Sequence, residues 1–170
     1  MLAVSGRLDP TLYGPPVPIH LDGFQDGRGK PKDGPLDGAG RRSIYLSVRR
    51  NFLPSMLLAF DFPQPFTALG RRSVSNVPAQ ALILRNNPFV HDQAAVWARS
   101  VLAGPGSAED RIRGMFLSAY ARPALEGEVA DAAAFLGDAA TLLSKERDDP
   151  AVWQALAHAL FQAKEFILVP

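Results

Sequence analysis

The sequence contains no cysteine. Without cysteine, the chain cannot form a disulfide, a zinc–thiolate site, an iron–sulfur ligand set or a c-type haem attachment of its own. It also contains only three histidines, and no apolar run approaches the roughly 20 residues that a membrane-spanning helix needs. We therefore expect no cofactor held by this chain and no membrane span.

A strong net charge is also lacking. The 18 lysines and arginines nearly balance 17 aspartates and glutamates, which leaves a formal net charge of +1. No overall field then favours nucleic acid as a partner, and any attraction for anions must come from local clusters. The 170 residues, of which 47% are hydrophobic, are enough to build the core of a folded domain.

Residues 1–40 are rich in glycine, proline and aspartate. Proline removes a backbone donor and glycine adds backbone freedom, so this composition opposes long helices and central strands. We predict a loop-rich arm over 1–40, pinned to a neighbouring surface by large apolar residues such as Ile19, Leu21 and Phe24. Because the chain starts abruptly with this arm, we expect the arm to end a larger module and the chain to be a fragment.

Residues 42–50 alternate between apolar and polar side chains. Ile44, Leu46 and Val48 would lie on one face, which is the pattern of a half-buried strand. A single strand needs a partner to satisfy its backbone hydrogen bonds. The candidate partner segments are residues 16–21 of the arm, the apolar tail of the chain, or a segment of the parent protein that lies outside this chain.

Helix signals dominate the remainder of the chain. Ser107 followed by Asp110 resembles a capping box, and Asp149 followed by Pro150 marks another helix start. The predicted helices span 54–60, 78–84, 88–103, 107–120, 125–144 and the region that begins at 150. The fold class is therefore mainly α, with residues 41–170 as a bundle of about five helices, beside the loop-rich N-terminal arm and one or two short strands.

No catalytic motif is complete. The glycine-rich segment "GRGKPK" fails as a phosphate-binding loop, because Phe24 stands where the first glycine is needed and Pro31 where a hydroxyl is needed. A nucleophile elbow, an HExxH motif and a Cys–His arrangement are all missing from the sequence. We therefore assign no catalytic residue.

One candidate metal site lies in the arm. His20 and Asp22 would lie on one side of an extended segment, with Asp26, Asp33 and Asp37 nearby, and carboxylates suit calcium or magnesium. The alternative is a solvated acidic loop in which aspartate supports turns. The spacing lacks the regular odd positions of a calcium-binding loop, which favours the solvated loop.

Arginine pairs are the strongest candidates for binding. They are Arg41 with Arg42, Arg49 with Arg50, and Arg71 with Arg72. Guanidinium groups bind carboxylate, sulfate and phosphate through two parallel hydrogen bonds. On a strand each of the first two pairs would split between the two faces, and an inward arginine would need a carboxylate such as Asp37 or Asp61. A structural role that ties loops together is favoured over an anion-binding site.

Residues 40–90 read "GRRSIYLSVRRNFLPSMLLAFDFPQPFTALGRRSVSNVPAQALILRNNPFV". With the opening "LAVSGRLDPTLYGPPV" and the closing "WQALAHALFQAKEFILVP", this stretch resembles the C-terminal domain of unknown function of large planctomycete-type exported proteins. Such proteins typically join a signal peptide, often a cytochrome c-like segment, and two successive domains of unknown function. The resemblance offers no catalytic residue. It implies export to a periplasm or cell surface, and the haem of relatives would belong to a segment outside this chain.

Two functions follow from these observations. The first is a noncatalytic C-terminal helical module of a larger exported protein, with the upstream domain of that protein as its partner. The alternative is part of an enzyme or binder that acts on an anionic extracellular polysaccharide through the arginine doublets.

Overall fold

The computed structural model describes residues 1–66, 68, 70–71 and 75–168. Seven α-helices lie within these residues: α1 (Ser55–Ala59), α2 (Pro78–Asn86), α3 (Pro88–Ala103), α4 (Ala108–Tyr120), α5 (Glu126–Leu143), α6 (Pro150–Gln162) and α7 (Lys164–Ile167). Two short 3-10 helices precede them, at Gly38–Gly40 and Ser43–Tyr45. The prediction of a mainly helical fold is confirmed, although the described residues hold seven α-helices rather than about five.

The chain divides into two compact units. One comprises Leu2 and Arg7–Phe89, and we call it the loop-rich unit. The other comprises Met1, Ala3–Gly6 and the chain from Val90 onward, and we call it the helical unit. The predicted division of the chain at residue 40 remains a prediction.

Helices of the helical unit begin at the sequence signals that predicted them. The Ser107 hydroxyl accepts the Asp110 N–H at 3.2 Å, and the Asp110 carboxylate accepts the Ser107 N–H at 3.0 Å. This reciprocal pair is the expected capping box of α4. At the start of α6, the Asp149 carboxylate accepts the Ala151 N–H at 2.8 Å, and Pro150 is the first helical residue.

The core of the helical unit forms where α5 packs on α4 and α6. Trp153 on α6 is fully buried, and Trp97 on α3 stacks on Phe161 with ring centroids 5.1 Å apart. Both tryptophans are core residues, as their helical spacing indicates. Buried Gln93 also lies here, and its side-chain oxygen accepts the Ser5 hydroxyl at 2.6 Å. A buried amide of this kind needs such a partner to offset the cost of its desolvation.

The loop-rich unit has a smaller core. Ile19, Leu21 and Phe52 are buried together, and Leu46 packs against them. The arm is thus pinned through Ile19 and Leu21, as expected, whereas Phe24 is fully exposed.

The predicted strand over 42–50 is wrong, because no β-strand forms in the part of the chain that the structure describes. Residues Ser43–Tyr45 instead form a 3-10 turn, and Ile44 is 83% exposed. Val17 makes an isolated parallel bridge with Leu46. The arm is therefore the segment that pairs here, but with a single residue.

The residues on either side of Val17 in the arm explain why this pairing stops. The Val17 N–H donates to the Tyr45 carbonyl at 2.8 Å, and the Val17 carbonyl accepts the Ser47 N–H at 2.9 Å. Residues two positions before and after Val17 would continue the ladder on the same side, and the first of them, Pro15, has no N–H to donate. The second, Ile19, uses its carbonyl to accept the Gly34 N–H at 2.8 Å. The alternating segment 42–50 therefore has no partner strand long enough to form a sheet among the described residues.

Candidate functional site

Arg41 lies inward, with 12% of its side chain exposed. Its Nη2 donates to the carbonyl oxygens of Thr11 at 3.2 Å and Tyr13 at 2.6 Å. Its guanidinium carbon lies 4.2 Å from the centroid of the Tyr45 ring, and the Tyr45 hydroxyl accepts the Tyr13 N–H at 2.9 Å. The Asp9 carboxylate is 3.8 Å from Arg41 Nε. These contacts make Arg41 a tether for the loop around Tyr13.

The two carboxylates suggested by the sequence as partners of an inward arginine bind other groups. Asp37 accepts from Arg7 Nη2 at 2.8 Å and from the Ala39 N–H at 3.0 Å. Asp61 accepts both the N–H and the hydroxyl of Ser75, at 2.7 and 3.0 Å. Neither carboxylate therefore pairs with a described member of the arginine doublets.

The other described members of the doublets are exposed: Arg42, Arg49, Arg50 and Arg71. Arg50 lies 5.7 Å from the centroid of the Phe66 ring, within the range of a cation–π contact. Within the described ranges, none of these four guanidinium groups forms an ion pair with a carboxylate. Arg72, the remaining member, lies outside the described residues.

His20 is held by its neighbours through one ring nitrogen. His20 Nδ1 lies 3.1 Å from an Asp33 carboxylate oxygen and 3.3 Å from the Gly34 carbonyl oxygen. The same Asp33 oxygen accepts the Leu21 N–H at 2.8 Å. This backbone hydrogen bond, together with His20, holds the pKa of Asp33 below its ordinary value. Asp33 is therefore an anchor for the segment that carries His20.

The candidate metal ligands His20 and Asp22 do not belong to a larger set of metal-ligating side chains among the described residues. No group of three or more histidine, cysteine, aspartate or glutamate side chains is arranged to hold a metal ion in the described part of the chain. Asp22 donates its backbone N–H to Gln25, and its carboxylate has no hydrogen-bond or ion-pair partner among the described residues. The metal site remains a prediction.

His20, Asp22 and Arg41 line one cleft within the loop-rich unit. The cleft has a volume of about 140 Å³. It brings together residues that the sequence placed in two separate candidate sites, one for a cation and one for an anion. Contacts between these segments depend on the packing around Ile19 and Leu46, which no local pattern encodes.

The helical unit carries an exposed apolar groove. Phe135, Leu142 and Leu143 of α5 are 39%, 85% and 43% exposed. They line the groove with two small residues, Ala139 of α5 and Ala155 of α6. We call this surface the α5 groove. Contiguous exposed apolar side chains of this kind are typical of interaction surfaces.

Sequence reasoning missed one pair of side chains. The rings of His91 on α3 and His158 on α6 are in contact, with centroids 4.1 Å apart and planes tilted by 36°. The side-chain nitrogen of Gln162 lies 3.2 Å from His158 Nδ1. The two histidines are far apart in the sequence, so only the packing of α3 with α6 brings them together.

Comparison with family models places this chain in a family. The family PSD1, a protein of unknown function (DUF1553), matches residues 1–136. Because the match spans most of the sequence, the chain belongs to this family. No curated protein and no solved structure matches the chain. The resemblance to a domain of unknown function is thereby confirmed, and the family supplies no activity.

None of the described helices is both long enough and apolar enough to cross a membrane.

Proposed function

We propose that the chain is a noncatalytic, mainly helical module of a larger exported protein, and that it packs on an upstream domain of that protein. The observation that carries this proposal is the α5 groove. Its most exposed side chain, Leu142, leaves 85% of its surface in contact with solvent. The resemblance to C-terminal modules of large exported proteins is the reason for the choice of partner.

The shape of the α5 groove suits a packed neighbour. Two small residues, Ala139 and Ala155, line it together with the larger side chains of Phe135, Leu142 and Leu143. Small residues allow the backbone of a partner to approach closely, and large residues beside them interlock with its side chains. Burial of apolar surface stabilises such a contact by about 25 cal/mol per Å².

Hydrogen exchange tests this packing. We expect the amides of residues 135–143 to exchange more slowly in the complete polypeptide than in this chain alone. Leu142→Gln should remove that extra protection, because it places an amide in the buried contact. Leu117→Gln is the matched control, since Leu117 is exposed on α4 outside the groove. Equal exchange rates of these amides in the complete polypeptide and in this chain alone would exclude the α5 groove as the docking site.

A second candidate function is the binding of an anionic extracellular polysaccharide. The specific observation in its favour is that Arg42, Arg49, Arg50 and Arg71 are exposed and form no ion pair with any described carboxylate. Exposed guanidinium groups bind sulfate and carboxylate groups through paired hydrogen bonds.

Heparin and polygalacturonate are suitable probes for this second function. We expect binding that weakens with salt, since exposed charges are screened within about 8 Å at physiological ionic strength. The double variant Arg49→Gln, Arg50→Gln should bind less tightly than wild type. Arg99→Gln, at an exposed arginine outside the doublets, should not. Binding that is unchanged in the double variant would count against this function.

A further inference from the structure

The cleft of the loop-rich unit has the size of a site for one small group. Its volume of about 140 Å³ is close to the ~150 Å³ of an engineered protein cavity that binds benzene. Much of its wall is apolar and comes from Ile19, Leu36, Leu46, Met56, Leu57 and Phe89. A concave, mostly apolar wall with a few polar groups is typical of a small-molecule site. The space admits a single ring or a short aliphatic chain.

The charged side chains that line the cleft are not balanced. Asp37 is neutralised by Arg7. Arg41 directs its Nη2 at two loop carbonyls and has the Asp9 carboxylate 3.8 Å from its Nε. Asp22 lines the same cleft, and its carboxylate has no cation or hydrogen-bond donor among the described residues. One carboxylate in an apolar wall is thus left without a counter-ion.

His20 adds a second acceptor to this cleft. The Gly34 carbonyl near His20 Nδ1 can only accept a hydrogen bond, so Nδ1 carries the proton and donates. In the neutral ring the other nitrogen, Nε2, then has a free lone pair. His20 and Asp22 line the cleft together. Two acceptors within an apolar wall match a ligand group that has only donors.

We propose that this cleft binds a primary ammonium group carried on a small apolar body, with Asp22 as its counter-ion and His20 as a second hydrogen-bond acceptor. An ammonium group has three N–H donors and no acceptor, which fits this pair of side chains. The apolar walls hold the ring or chain that carries the group. Such a ligand is either a small free amine or a lysine side chain. The inference uses the loop-rich unit alone and does not depend on docking at the α5 groove.

NMR titration of the whole chain with benzylamine tests the ligand chemistry. We expect saturable shifts of backbone amides in residues 19–22 and 55–57. Benzyl alcohol, which has the same shape without the charge, should bind at least about tenfold more weakly, because hydrogen bonds between charged groups are the stronger kind. Benzoate should give no saturable shift. Lysine amide acetylated at its α-amino group, which keeps the side-chain ammonium, is titrated in parallel to distinguish a free amine from a lysine side chain. Tighter binding than that of benzylamine would assign the site to a lysine side chain.

Matched variants test the role of Asp22. Asp22→Asn should weaken benzylamine binding by at least about tenfold. Asp26→Asn makes the same chemical change at an exposed residue that does not line the cleft, and it should leave binding unchanged. Ser55→Leu keeps the carboxylate but fills part of the cleft, and it should abolish binding.

Spectra of the free variants establish that each one folds. The proposal is overturned if wild type shows no saturable shift up to the solubility limit of benzylamine. It is equally overturned if benzoate binds as well as benzylamine, or if a folded Asp22→Asn variant binds benzylamine as tightly as wild type.

Discussion

Arg41 donates from Nη2 to the carbonyl oxygen of Tyr13 at 2.6 Å, across a sequence separation of 28 residues. Tyr13 has a φ of +65°, in a region that a bulky residue seldom adopts. Its N–H donates to the hydroxyl of Tyr45, against whose ring the Arg41 guanidinium is stacked. The Arg41 guanidinium and the Tyr45 hydroxyl therefore hold Tyr13 in an unfavourable backbone conformation.

Replacement of Arg41 by lysine should destabilise this arrangement. The lysine ammonium lacks the planar fork that stacks on an aromatic ring and reaches two carbonyls together. We expect Arg41→Lys to lower the free energy of unfolding by about 1–3 kcal/mol, measured by urea denaturation. Arg42→Lys, next to it and exposed, should change stability by less than about 0.5 kcal/mol. Equal effects of the two variants would show that the tether contributes nothing.

Gly34 is required by a close approach of two segments of the arm. Its N–H donates to the Ile19 carbonyl at 2.8 Å, and a Cβ at this position would lie 2.0 Å from the Pro18 carbonyl oxygen. Because backbone atoms form that contact, a longer side chain cannot be accommodated by a change of rotamer. We expect Gly34→Ala to cost at least about 2 kcal/mol of stability.

Thermal unfolding followed by circular dichroism checks the Gly34 prediction. Gly23→Ala is its control, since a Cβ at Gly23 meets nothing within 4 Å. The close-approach argument fails if both alanine variants unfold at the same temperature.

Local signals made the helices predictable from the sequence. Ser107 with Asp110, and Asp149 with Pro150, act within a single turn, so the same residues specify and stabilise the helix start. The strand over 42–50 failed for the opposite reason. Its alternation is local, but strand formation depends on a partner. The partner segment pairs only through Val17, since Pro15 has no N–H and the Ile19 carbonyl accepts from Gly34.

Three residues of the cleft were predicted individually but not as one site. His20, Asp22 and Arg41 carry side chains that bind ions, and their chemistry is visible in the sequence. Their position around one cleft is a result of tertiary packing. The α5 groove was missed because Leu142 and Leu143 belong to an apolar helical pattern that resembles a buried face. Periodicity indicates which residues share a face and not what covers it.

Ser107 offers a direct test of a helix cap. Its hydroxyl accepts the Asp110 N–H. Hydrogen bonds that the Ser107 hydroxyl and N–H donate to the Asp110 carboxylate hold the pKa of Asp110 below its ordinary value. Ser107→Ala should lower the free energy of unfolding by about 1 kcal/mol. Ser118→Ala is a suitable comparison, since its exposed hydroxyl only donates to a carbonyl within α4. Chemical denaturation of both variants measures the difference, and a loss no larger in Ser107→Ala than in Ser118→Ala would contradict the cap.

The acid stability of the helical unit should depend on Glu128. Arg122 donates from Nη1 and Nη2 to the two carboxylate oxygens of Glu128, at 2.8 and 2.7 Å, and the Leu125 N–H donates at 2.8 Å. The hydrogen bonds from Arg122, followed by that from Leu125, lower the pKa of Glu128 from 4.5 to about 2. Arg122 also pairs with Glu165, whose pKa is lowered for the same reason.

The contribution of Glu128 to folding stability should be lost in acid. Because the pKa of Glu128 is lower in the folded than in the unfolded chain, its stabilising contribution is present above pH 4.5 and is lost as pH falls toward 2. We expect Glu128→Gln to be less stable than wild type at neutral pH, and the difference to shrink as pH falls through this range. Part of the acid sensitivity should remain in the variant, since Glu165 still pairs with Arg122.

Urea denaturation at a series of pH values measures the difference in stability between wild type and Glu128→Gln. Glu146→Gln, at an exposed carboxylate without an ion pair among the described residues, is the control and should change stability at neutral pH by less than about 0.5 kcal/mol. A wild-type advantage over Glu128→Gln that stays constant down to pH 2 would rule out the ionised Glu128–Arg122 pair as its source.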